Sequence, residues 1–98
     1  MRTASQTKSQ QSNAAGVLAI PPDQNRVAIL LNAPAGRTLL IGMGTIATAA
    51  LGLVVPSGVA PVILSYTQIG SAVQDAFVLT DSAGAQQTFT WVEIVLAP

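Results

Sequence analysis

The side chains of this sequence with chemistry to offer are few. They are the carboxylates Asp23, Asp75, Asp81 and Glu93, the arginines Arg26 and Arg37, and Trp91, with Arg2 and Lys8 near the start. There is no histidine and no cysteine. That removes the usual general base, the commonest metal ligand and the neutral-pH switch, along with disulfides and thiolate metal sites. Ser57, Ser65, Ser71 and Ser82 therefore have no imidazole to activate them. Asp75 and Asp81 flank one apolar segment, and a carboxylate pair can do acid–base work or hold a cation. Six residues apart on an extended chain, they are separated by roughly 20 Å, and turn and strand-end roles account for both. Gly42-Met43-Gly44 matches a fragment of a dinucleotide-binding loop, but position 47 is alanine and no helix with a later acidic residue follows. A bend or a close backbone approach explains the glycines. Nucleic-acid recognition wants basic residues interleaved with aromatics, and the core offers Arg26 and Arg37 alone. No cofactor, metal or nucleic acid is expected.

Trp91 and Glu93 are more informative. In an extended segment 88–96, Phe89, Trp91, Glu93 and Val95 share one face. Trp91 is then either a core anchor between two sheets or a contact residue at a subunit interface. If that face is buried, Glu93 needs a cation, and Arg26 and Arg37 are the candidates within the core. If it is not, Glu93 lies at a solvated strand end. A buried pair of this kind serves specificity rather than stability.

The elements that must position these groups read as short strands. The centre is residues 26–44, RVAILLNAPAGRTLLIGMG. Apolar runs at 27–31 and 39–41 flank a turn-rich Ala33-Pro34-Ala35-Gly36, which suggests two antiparallel strands and their connection. Val27, Ile29 and Leu31 point one way, Ala28 and Leu30 the other. Both sides are apolar, so the strand is covered on both faces or sits at an interface. Further strands are expected at 17–20, closed by Pro21-Pro22, and at 38–42, 51–55, 61–66, 75–80 and 88–96. Residues 44–50 read as a loop of small residues with a short bridge at Ile46, or as one or two helical turns over 46–53. Residues 67–72 read as a loop. Six to eight short strands with turn signals every eight to twelve residues indicate an all-β fold, a compact antiparallel β-sandwich.

Residues 1–15, MRTASQTKSQQSNAA, hold no large apolar side chain after Met1. This segment is expected to lie outside a domain spanning 16–98, as a disordered tail or as an extended arm that orders against a neighbouring subunit. It carries a net charge of +2 from Arg2 and Lys8, and the remainder carries −2.

Only 8% of the 98 residues are charged while 50% are hydrophobic, against about 25% charged in typical soluble domains. So little charge favours self-association unless the apolar surface faces lipid or other subunits. Residues 38–55 are largely apolar and close to the shortest bilayer span. Against a span stand three glycines, three threonines, an immediate Pro56-Ser57-Gly58 turn and the want of an aromatic belt or a lysine or arginine cluster.

Laid out in this way, residues 17–95 resemble a small β-domain found in structural proteins of tailed bacteriophages. The matching features are Val17-Leu18-Ala19-Ile20-Pro21, the strand opened by Asn25-Arg26, Leu40-Ile41-Gly42-Met43-Gly44 before a Thr/Ala-rich loop, Leu53-Val54-Val55-Pro56-Ser57-Gly58, and the closing Thr88-Phe89-Thr90-Trp91-Val92-Glu93. The resemblance implies a jelly-roll-like, non-enzymatic virion component on the capsid exterior: a decoration or cement protein bound to the major capsid protein, itself a dimer or trimer. A tail, neck or head-fibre location is the alternative, and a single-span membrane protein over 38–55 the more distant one. The expected interface residues are Val27, Ile29, Leu31, Phe89 and Trp91, and the expected ion pair is drawn from Arg26, Arg37 and Glu93.

Overall fold

The computed structural model describes residues 2–44 and 52–97. The expectations placed on residues 45–51, including the bridge at Ile46, lie outside the described residues. Among the described residues there are eight strands: β1 (Thr3–Gln11), β2 (Val17–Ile20), β3 (Arg26–Leu31), β4 (Leu39–Met43), β5 (Leu53–Val55), β6 (Val62–Ser65), β7 (Phe77–Asp81) and β8 (Thr88–Leu96). They form two four-stranded antiparallel sheets, ordered β1-β8-β3-β6 and β2-β7-β4-β5.

The two sheets share one core, and β7 and β8 show the alternate burial of strands with one face turned to it. Leu18 and Ile20, Leu39 and Ile41, Val55, Phe77 and Leu79 come from one sheet. Ile29 and Leu31, Leu64, Phe89 and Trp91 come from the other. Burial of side chains of this size contributes about 1.5–3 kcal/mol each before the entropic cost of ordering.

Three expectations are corrected here. The central segment 26–44 is not a pair of neighbours in one sheet. β3 pairs with β6 and β8, and β4 pairs with β5 and β7. Both strands are apolar because each is an inner strand of its own sheet, and the connection between them crosses from sheet to sheet. The polar N-terminal segment is not disordered. Residues 3–11 are extended along β8 over nine paired positions, from Thr3 opposite Leu96 to Gln11 opposite Thr88. A strand that buries no apolar side chain shows no hydrophobic alternation; what orders it is the backbone ladder with β8, which would otherwise be a bare edge. Residues 67–72 are not an open loop, and Tyr66 is not the end of a strand. Residues 66–74 form a helical turn, α1 (Tyr66–Ile69), running into a 3-10 turn (Gly70–Gln74). Ser65 and Gln68 close a capping box at its start, and Val73 plugs the core.

The ends of segment 38–55 are antiparallel partners, with Leu39 opposite Val55 and Ile41 opposite Leu53. The chain therefore returns on itself rather than running through as one helix. Among the described residues no helix is long and apolar enough to cross a membrane.

Candidate functional site

The polar centre of the molecule is Glu93 on β8. The two-residue period of a strand places Trp91 and Glu93 on the same face, and that face is the buried one. Glu93 is 1% exposed. Trp91 Nε1 donates to Glu93 Oε2 at 3.1 Å.

Arg26 reaches the same carboxylate because of a bulge. β3 pairs Arg26 with Val95 but Ala28 with Ile94, which leaves Val27 as the extra residue. The bulge resets the phase of the strand. Arg26 is buried along with Ile29 and Leu31, while Val27 is left half-buried. Arg26 Nε donates to Glu93 Oε1 at 2.6 Å. The remaining guanidinium nitrogens donate to backbone carbonyls: those of Val73 at 3.1 Å and Asp75 at 3.0 Å, and that of Pro21 at 2.7 Å. The cation also lies 5.6 Å from the Phe77 ring centroid, within cation–π range. One buried side chain thus ties together the β2–β3 corner, the 3-10 turn, β7 and β8.

The third partner of Glu93 is Lys8 on β1, whose Nζ lies 2.7 Å from Oε2. Lys8 sits opposite Trp91 in the β1–β8 register and stays 42% exposed. Burial acts to raise the Glu93 pKa, but the donors Lys8, Arg26 and Trp91, with the Arg26 charge, outweigh it and hold it below its ordinary value. The carboxylate is therefore ionised at neutral pH and its donors are engaged. Beside it, a cleft of about 330 Å³ is lined by Lys8, Ser9, Gln10, Pro21, Trp91 and Glu93.

The structure brings Arg26, Glu93 and Trp91 together. Arg37 goes elsewhere: its guanidinium is 3.8 Å from Asp81. The buried Asp81 carboxylate accepts from the Ala83 and Ala85 amides. Of the five expected interface residues, Ile29, Leu31, Phe89 and Trp91 are core within the single chain, because the faces they occupy are those between the sheets. For those four the expectation is corrected, and Val27 is half-buried; among the described residues the large exposed apolar side chains are Met43, Leu53, Val54, Val59, Ile63 and Tyr66. Lys8 was missed because it lies in a polar segment without alternation, 85 residues from its partner, and only the β1–β8 register unites them. No family model, curated protein or solved structure matches the chain.

Proposed function

We propose that this chain is a non-catalytic virion structural protein of the capsid exterior, which binds the major capsid protein lattice and stabilises the shell, as a dimer or trimer. The observation that carries the reading is the strand order. Two sheets ordered 1-8-3-6 and 2-7-4-5 over a common core support a jelly-roll sandwich of two Greek keys, an architecture used by viral capsid domains.

The docking surface follows from the exposed apolar side chains. Leu53 and Val54 lie on β5 and Ile63 on β6, the outer strands of the two sheets, with Val59 in the short connection between them and Tyr66 just beyond. No charged residue occurs from position 38 to 74. Edge strands of free proteins are usually guarded by charge, so an unguarded apolar edge suits burial against another protein. A ligand that binds only the assembled shell stabilises it by RT ln(1 + [L]/Kd), repeated at every site.

The test is the copy number of the chain in purified particles, by quantitative mass spectrometry against the major capsid protein. Hundreds of copies in a simple ratio to the capsid protein are expected. On the order of ten would move the protein to the neck or tail, where low-symmetry rings occur. None would overturn the virion assignment.

A further inference from the structure

We propose that β1 is an exchangeable strand: residues 3–11 of one copy leave their own β8 and lie in the same register on the β8 of a second copy, placing the first copy's Lys8 on the second copy's Glu93.

Three observations support this. The first is what β1 does not bury. Eight of its nine residues are exposed and the ninth, Lys8, is half-buried. Lifting it off opens no apolar surface of its own, and the exposed backbone groups of β8 are free to take water. Segments with solvent-exposed ladders and few buried apolar contacts open at the lowest cost in a fold. Glu93 keeps Arg26 and Trp91 as donors meanwhile.

The second is a sharp anchor behind the strand. Ser12 is buried, its amide donates to Gln87 O at 2.7 Å and its hydroxyl accepts from the Gln87 amide at 2.9 Å. Gly16, at φ 80°, is packed so closely on Ala85 that a Cβ there would meet the carbonyl oxygen at 2.6 Å. The chain is thus held from Ser12 onward, and the detachable part ends at Gln11.

The third is charge. The first fifteen residues carry +2 and the rest of the chain −2, so the arm of one copy is attracted to the body of another. Exchange remakes every β1–β8 bond and the Lys8–Glu93 contact, so nothing specific is lost in the swapped form.

The chain has no cysteine, which makes engineered disulfides unambiguous. Ser9 and Thr90 face each other on the exposed side of the ladder, with hydroxyls 3.2 Å apart, and opposed strand positions are within disulfide reach. The Ser9→Cys and Thr90→Cys variants are mixed at increasing concentration under mild oxidation, and the heterodimer is read by intact mass. Ser5→Cys mixed with Thr90→Cys, four residues out of register, measures collision. The expected result is a Ser9–Thr90 heterodimer yield several-fold above that control and rising with concentration, while a chain carrying both substitutions closes on itself when dilute. A heterodimer no more abundant than the control overturns the proposal, as does failure of the doubly substituted chain to close. The experiment uses the isolated chain, so a negative result leaves the capsid assignment untouched.

Discussion

Replacing Arg26 with methionine is the most demanding test of the polar centre. The side chain is 1% exposed and makes four hydrogen bonds, one to Glu93 and three to the carbonyls of Pro21, Val73 and Asp75. Arg26→Met keeps much of the volume but leaves Glu93 with Lys8 and Trp91 and strands three acceptors. Removing one partner of a buried ion pair costs about 3–5 kcal/mol, a large part of the 5–15 kcal/mol that stabilises a domain of ordinary size. At about 4–8 °C per kcal/mol for a chain of this length, Tm should fall by at least about 12 °C. Urea unfolding followed by Trp91 fluorescence gives the free energy directly. Adding Glu93→Gln to Arg26→Met removes a buried charge that only the half-exposed Lys8 still pairs, and keeps an acceptor for Trp91 Nε1. The double variant should therefore be more stable than Arg26→Met alone, though below the parent because the three carbonyls stay unpaired. A loss under about 1 kcal/mol for Arg26→Met, within the range of exposed ion pairs, would refute the reasoning. So would a double variant no more stable than the single one.

The Glu93 pKa is held below its ordinary value of 4.5, so the folded state favours the ionised form. Its contribution is complete above pH 4.5 and is lost as pH falls through the lowered folded value; the urea midpoint of the parent should drop in that window and that of Glu93→Gln should drop less. Gly16 and Gly36 share a positive φ, 80° and 73°, but a Cβ at Gly36 has nothing within 4 Å. Gly36→Ala should cost about 1 kcal/mol from backbone conformation alone, and Gly16→Ala about 2–4 kcal/mol once the clash with Ala85 is added, both measured by denaturant unfolding. Val54→Lys and Ile63→Lys, on exposed positions of β5 and β6, should leave stability within about 0.5 kcal/mol and abolish co-sedimentation with purified particles.

Much of the framework was legible because strand burial has a period of two and turns have their own residues. Residues 88–96 alternate Phe89, Trp91, Glu93 and Val95 against Thr88, Thr90 and Val92, and β8 occupies those bounds. Pro21-Pro22 and Pro56-Ser57-Gly58 mark where β2 and β5 stop. The same alternation put Glu93 beside Trp91, and so raised the question of its cation. Local pattern failed where pairing, not composition, orders the chain. β1 has no alternation to read, and its nine positions are set by the opposing edge of β8.

What the sequence by itself determined is therefore the all-β character, most strand positions and the side chains that share each face, all consequences of local backbone geometry. Tertiary structure alone decided the rest. The order of strands in the two sheets sent β3 and β4 apart. A bulge against β8 exchanged Val27 for Arg26 at the buried position. The β1–β8 register brought Lys8 to Glu93 from the other end of the chain. Each of these depends on contacts between residues distant in sequence, and a bulge or a register is a property of two strands together, which neither strand encodes alone.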